Sequence, residues 1–347
     1  MKLALITEIP APFRIPLWNA LAERVDLRVI LLAERDPRRG YDLHREEWRF
    51  AARVLPGRGA LLGRRWLVVN RRVRRELCGA DAILVGGWNQ PAFLQATRAG
   101  LPYVLWVEST ARDERRRHLD WLKRRLLGSA AGVLVPGSAA REYVTGLGAD
   151  PARIATAPNA FDLTAFTAAV ERERGRHVST VLTVARLSPE KDVGTLLRAV
   201  EGLDAELVVV GDGPQGPALR EAAPANARFV GRVPRHELPR WFANADVFAL
   251  TSRSETWGMS LSEAAAAGLP LVATEAVGGA WDLIEDGVNG YRVPVGDAAA
   301  LRDALAKVLA ADEWRGRAAR RSRELARLAT PERWAETVER LFSEILS

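Results

Sequence analysis

Short apolar runs alternate with amphipathic stretches along nearly the whole chain, and this alternation predicts strands and helices in turn. In the first half, strands are expected at residues 3–7, 27–32, 82–86, 103–107 and 132–135, with helical patterns between them at 15–24 and 90–98. Pro16 suits the first turn of the earlier helix. The second half repeats the scheme, with strands at 180–186, 206–211, 228–230, 247–250 and 271–274. Its helices are expected at 192–200, 215–221, 235–244, 259–267 and 298–310. A last helical pattern (Trp334, Val338, Leu341, Phe342, Ile345) runs over 331–346 behind Pro331. Near-continuous apolar strands separated by helices imply parallel sheets covered on both faces.

At 347 residues the chain is long enough for two such domains, each with its own core. The boundary is expected near residues 162–177, where a charged run shows no strand pattern. The first domain then covers 1–163, joined by the helix over 331–347, and the second covers 164–330. The fold class is α/β, with two Rossmann-like, doubly wound parallel sheets facing across a cleft. In such folds ligands sit at the carboxyl ends of the strands.

Composition narrows the classes. Cys78 is the only cysteine, so no intramolecular disulfide forms and a reducing, cytoplasmic location fits. The opening MKLALITEIP is broken by proline too soon for a signal peptide and reads as a first strand. No run of 18 or more uncharged apolar residues suggests a membrane span. The net charge of +7 is uneven. Residues 1–165 hold 27 Lys and Arg against 17 Asp and Glu, whereas residues 166–347 hold 23 against 26. This asymmetry suggests that the first half meets something anionic, either a lipid surface or a phosphorylated acceptor. Segments 64–77 and 114–127 read as helices that are basic on one side and apolar on the other. They are either surface helices packed on their own sheet or contacts with an anionic membrane, which would place the protein peripherally on its inner face.

Candidate chemistry follows the predicted strands. Arg186 ends one strand and Lys191 begins the next helix, where two cations either stand in solvent or neutralise a leaving diphosphate. Gly211 and Gly213 allow a tight turn and close backbone approach to a ligand, but the spacing of a dinucleotide fingerprint is absent. Glu255 and Glu263 bracket the start of a helix at Gly258. A bare helix start offers N–H groups and a positive dipole end to a phosphate. The dipole alone would account for Glu255 but not for Glu263, deeper in an alanine-rich helix. No P-loop, no Gly-x-Ser-x-Gly, no Asp-x-Asp pair and no metal-ligand spacing among His44, His118, His177 and His236 occurs.

The second half resembles the GT-B glycosyltransferases of the family 4 type, retaining enzymes that use nucleotide-sugar donors. The matching pieces are Val184-Ala-Arg-Leu with Glu190-Lys-Asp, Val210-Gly-Asp-Gly-Pro, Phe229-Val-Gly-Arg, Asn244-Ala-Asp-Val-Phe, the pair Glu255 and Glu263, Ala267-Gly-Leu-Pro-Leu-Val, and Glu285-Asp-Gly-Val-Asn-Gly-Tyr. Ala157-Pro-Asn-Ala-Phe-Asp looks like the family's domain junction. These pieces lie in the expected order over roughly residues 134–297. The resemblance implies that Arg186 and Lys191 bind the donor diphosphate, that Glu263 holds the ribose and that Glu255 contacts the donor sugar. It implies that the backbone at Gly258, Met259 and Ser260 cradles the distal phosphate and sugar, and that Gly213, Val230 and Arg232 shape the nucleotide pocket. The first domain is then the acceptor side. Arg14 lies in a Pro-x-Pro-aromatic-Arg loop without the glycines common after the family's first strand. Trp88 is either a sugar-stacking platform or a packed loop residue, and Glu108 is the polar group favoured on the acceptor side. No metal, cofactor or nucleic acid is expected. The alternatives are a GT-B nucleotide-sugar epimerase and a non-catalytic partner subunit of a transferase.

Overall fold

The first strand, β1 (Lys2–Thr7), is buried at every position after Lys2, as a central strand covered on both faces must be. The computed structural model describes residues 1–37, 43, 45–62, 65–112, 119–160, 162–167 and 178–347. The chain divides into two compact units, Met1–Asp162 with Ala329–Ser347, and Leu163–Leu328.

In the first unit β1 is followed by β2 (Asp26–Leu31), β3 (Ala51–Val54), β4 (Gly57–Leu62), β5 (Arg65–Asn70), β6 (Ala82–Val85), β7 (Tyr103–Trp106), β8 (Gly132–Val135) and β9 (Ile154–Thr156). Seven of these form a parallel sheet in the order β3-β2-β1-β6-β7-β8-β9, and β4 and β5 make a separate antiparallel hairpin. The chain runs outward from β1 and then returns beside it with β6, so the strand order reverses between those two. In the second unit β10 (Ser179–Val184), β11 (Ala205–Val210), β12 (Ala227–Gly231), β13 (Val247–Leu250), β14 (Leu271–Thr274) and β15 (Gly290–Val293) form a parallel sheet in the order β12-β11-β10-β13-β14-β15. Its reversal lies between β10 and β13. Both sheets are doubly wound, the α/β class expected from the apolar runs.

The helix Pro331–Leu346 belongs to the first unit. Thr330 caps its start by accepting the Arg333 N–H at 3.3 Å, with Pro at the first turn. Trp334, Ala335, Val338, Leu341 and Phe342 form its buried face, and Trp334 packs 5.0 Å from the Trp106 ring. Arg24 pins the outer face through Glu336 and Glu339, at 2.7 and 2.8 Å.

Several elements depart from the expectation. The described residues 65–77 do not form one helix. Trp66 and Val68 are buried while Val69 is exposed, the period of a strand, and β5 pairs with β4. Arg72 then takes a left-handed φ of 65°, and only the short helix Val73–Glu76 follows. The helix expected over 114–127 is described as Asp120–Ser129, and residues 113–118 lie outside the described residues. So does most of the charged run before 178, together with His44, His118 and His177. Strands β3, β9 and β15 and the helix Asp312–Ala326 were not anticipated. β3 is exposed at all four positions, and the buried residues of Asp312–Ala326 are the small Ala318, Ser322 and Ala326, which leave no apolar stripe to read.

Candidate functional site

In the second unit the predicted residues gather at the carboxyl edge of the sheet, around its reversal. After β10 the chain passes through Arg186, which is exposed, into the 3₁₀ turn Pro189–Lys191. Asp192 then adopts a left-handed φ of 47°, unusual for a residue other than glycine. That geometry is held from several sides. Asp192 Oδ2 accepts from the Thr195 hydroxyl at 2.8 Å and pairs with Arg253 at 2.9 Å. The Thr251 hydroxyl, just past β13, donates to the carbonyls of Lys191 and Asp192, both at 3.1 Å. The Lys191 ammonium is thereby turned toward β13, where it forms an ion pair with Glu255.

Burial would raise the Glu190 carboxyl. The Ser188 hydroxyl at 2.7 Å, a backbone N–H and the charges of Lys191 and Arg186 outweigh it and hold the group below its ordinary value.

Glu255 is itself fixed by backbone. Its N–H donates to Ala276 at 3.2 Å and its carbonyl accepts from Gly278 at 2.9 Å, so the loop after β13 is laced to the loop after β14. The approach is close enough to demand glycine, since a Cβ on Gly278 would lie 2.0 Å from the Thr256 carbonyl oxygen. Gly258 starts the helix Met259–Ala267 with a φ of 97°. The helix's first internal bonds run from Leu261 and Ser262 back to the Gly258 carbonyl, at 3.0 and 3.3 Å. The N–H groups of Met259 and Ser260 have no carbonyl partner within the helix.

Glu263 lies one turn into that helix. It is 4% exposed, facing into the fold from the helix, and burial pushes its carboxyl up to about 7 against the opposing charge of Arg235, 3.3 Å away. A cavity of about 420 Å³ opens beside that pair, lined by Arg232, Val233, Pro234, Arg235 and Leu238. Val230 is half-buried at the end of β12. Gly213 lies in the turn after β11, where a Cβ would come 2.4 Å from the Leu187 carbonyl oxygen.

In the first unit Arg14 and Glu108 are not two separate acceptor groups but one ion pair. Arg14 donates to Glu108 at 2.5 Å, and its guanidinium lies 4.2 Å from the Trp106 ring centroid. Trp88 is partly buried against the core, edge-on to Tyr143 at 6.2 Å and with the Lys123 ammonium 5.6 Å from its ring, a packed setting rather than an open platform. Arg253, Gly278 and Arg235, and in the first unit Gln90, join these sites without having been expected there. Their partners are distant in the chain, and no local spacing marks them. Among the described residues no group of three or more His, Cys, Asp or Glu side chains is placed to hold a metal ion, and no helix is long and apolar enough to cross a membrane.

The chain matches two adjoining family profiles, glycosyl transferases group 1 over residues 171–325 and a glycosyl transferase 4-like domain over residues 16–160. It is 40% identical over 114 residues to a GDP-mannose-dependent alpha-mannosyltransferase of Corynebacterium glutamicum, covering 33% of this chain and 27% of that protein. It is 32% identical over 233 residues to a D-inositol 3-phosphate glycosyltransferase of a Nocardioides species, covering 57% of this chain and 50% of that one. The chain spans half or less of the length of these curated relatives. Among solved structures, Anabaena HepE in complex with UDP superposes with a TM-score of 0.78 at 18% identity, over 99% of this chain and 100% of that one, which shows a shared fold.

Proposed function

Because the chain belongs to the glycosyltransferases of the family 4 type, with the GT-B fold, we propose that it moves a sugar from a nucleoside diphosphate donor to a hydroxyl acceptor, with retention of configuration and without a metal. The observation that carries this reading is the meeting of Lys191 with Glu255 where the second sheet reverses. Arg186 leaves the neighbouring strand end, and the helix start at Gly258 follows Glu255. An anionic leaving group needs cations and N–H groups, and a sugar needs a hydrogen-bond acceptor beside them.

In this proposal Arg186, Lys191 and the N–H groups of Met259 and Ser260 hold the diphosphate and stabilise the charge that grows on it. Glu255 releases Lys191 to the phosphate and takes hydroxyls of the donor sugar. The sugar C1–O bond to phosphate breaks, C1 bonds to the acceptor oxygen on the same face, and the departing phosphate oxygen takes the acceptor proton. Glu263 binds the ribose, and the Gly213 turn, Val230 and Arg232 shape the nucleoside pocket. The first unit binds the acceptor beside the Arg14–Glu108 pair, with Trp88 packed against the core as support. Donor recognition as GDP-mannose, the donor named for one relative, is the first candidate to test.

Thermal-shift screening with UDP, GDP, UDP-glucose and GDP-mannose tests the reading, because a ligand that binds only the native state stabilises it. One nucleotide should raise the melting temperature, and calorimetry should show its binding weakened by at least roughly tenfold, or about 1.4 kcal/mol, in Arg186→Ala/Lys191→Ala. Unchanged affinity would remove the donor site. Donor conversion without any acceptor would make the protein an epimerase instead. An excess of positive charge in residues 1–165 supports peripheral contact of this cytoplasmic enzyme with an anionic membrane. Cosedimentation with phosphatidylglycerol vesicles but not with phosphatidylcholine vesicles is the expected outcome.

A further inference from the structure

Glu8 follows β1 directly, at the reversal of the first sheet, and none of the roles above uses it. Its surroundings are built from the opposite side of that reversal. Behind β6 the chain turns through Gly86 and Gly87. A Cβ on Gly86 would sit 2.9 Å from the Ile6 carbonyl oxygen, and Gly87 has a φ of 136°, so this tight return toward the β1 end requires glycine at both positions. The turn delivers Asn89 and Gln90 to Glu8. Asn89 Nδ2 donates to Glu8 Oε1 at 2.6 Å, and Gln90 Nε2 donates to the same oxygen at 3.0 Å.

Gln90 has no freedom to do otherwise. It is 2% exposed, its Nε2 also donates to the Trp66 carbonyl at 3.1 Å, and its Oε1 accepts from the Val68 N–H at 3.0 Å. Both amide hydrogens are committed, and strand β5 locks the amide from behind. Glu8 is half-buried, and with two donors on Oε1 its second oxygen, Oε2, has no partner among the described residues. Two other first-unit carboxylates of low exposure are paired with cations, Glu108 with Arg14 and Glu76 with Arg53. Among the described residues Glu8 is held only by neutral amides, so no described cation cancels the charge that they orient.

We propose that Glu8 is an acceptor-binding residue, whose Oε2 takes a hydrogen bond from a hydroxyl of an uncharged sugar or polyol. Asn89 and Gln90 are its positioning residues. A fixed carboxylate with a free oxygen accepts from an O–H group and repels a phosphate, so the ring carbon read here carries a hydroxyl and not a phosphate ester. This rests on the reading that the first unit holds the acceptor.

The test uses the full chain and three probes, methyl α-mannoside, methyl α-glucoside and myo-inositol, with binding followed by saturation-transfer NMR. The wild type should bind at least one probe, and inorganic phosphate should not compete. Glu8→Gln and Glu8→Ala should weaken that binding roughly tenfold or more, as loss of a hydrogen bond to a charged group does. Asn89→Ala should weaken it less. UDP and GDP affinities of all three variants, and the melting temperatures of Glu8→Gln and Asn89→Ala, should stay near the wild-type values, a split that a merely structural role would not produce. Unchanged probe binding in Glu8→Gln, competition by phosphate, or no probe bound by the wild type would overturn the proposal. Loss of nucleotide binding in the wild type would sink the transferase reading separately.

Discussion

The Arg235 guanidinium stands 3.3 Å from Glu263 Oε1, yet the carboxyl is pushed up to about 7 because burial outweighs that charge. Glu263 should therefore make stability fall with rising pH. Below its ordinary value of 4.5 both native and unfolded chains hold the proton. Between 4.5 and about 7 the unfolded chain gives it up first, so unfolding is favoured progressively. Above 7 the full penalty, about 3 kcal/mol, is present. Glu263→Gln should remove this slope, and urea unfolding at about pH 5 and about pH 8 measures it. An unchanged slope would show that the native carboxyl is ionised across the range.

The ion pair of Lys191 with Glu255 must open if a diphosphate is to take the lysine. Glu255→Ala should then bind UDP or GDP more tightly than the wild type, by roughly fivefold, or about 1 kcal/mol, while sugar transfer is lost. Calorimetry and a transfer assay on one preparation read both effects. Weaker nucleotide binding would mean that Glu255 orders the phosphate site instead of competing for Lys191.

Gly211 has a φ of 132°, and a Cβ there would lie 1.9 Å from the Ala185 carbonyl oxygen. Gly79 has a φ of 79° with nothing within 4 Å of the added atom. Gly79→Ala should cost only the left-handed backbone strain, about 1 kcal/mol. Gly211→Ala adds a backbone collision and should cost about 3 kcal/mol or more. Denaturant midpoints of the two variants test the contrast. Equal losses would mean that backbone strain alone decides both.

Asn289 is fully buried and bridges three segments. It donates to Leu283 at 2.9 Å and to the Ser322 hydroxyl at 3.1 Å, and it accepts from the Glu285 N–H at 2.8 Å. Asn289→Ala leaves those partners unsatisfied and should destabilise the second unit by about 2–4 kcal/mol. A melting temperature within a degree of the wild type would indicate that water replaces the amide.

What could be read from residues alone follows from burial. The strands nearest each reversal, such as β1, β10 and β13, are apolar runs because both faces are covered, and they were located to within a residue or two. The helix Pro331–Leu346 carries its cap, its proline and its apolar face in contiguous sequence. β3 is exposed throughout and β15 is buried only at its two ends, so neither carries a continuous apolar run. The segment over 64–77 misled because its Arg residues at helical spacing flank a short apolar run whose real period is two.

By itself, then, the sequence determined the α/β class, the buried central strands with the helices between them, and the residue types that stand at strand ends, because these depend on local patterning and on which side chains avoid water. Tertiary structure alone decided how those side chains are used. It paired Arg14 with Glu108 and Lys191 with Glu255, buried Glu263 beside Arg235, and set Gln90 behind Glu8. Each of these depends on which strand ends lie side by side, and parallel strand order is created by long-range packing that no short stretch of sequence encodes.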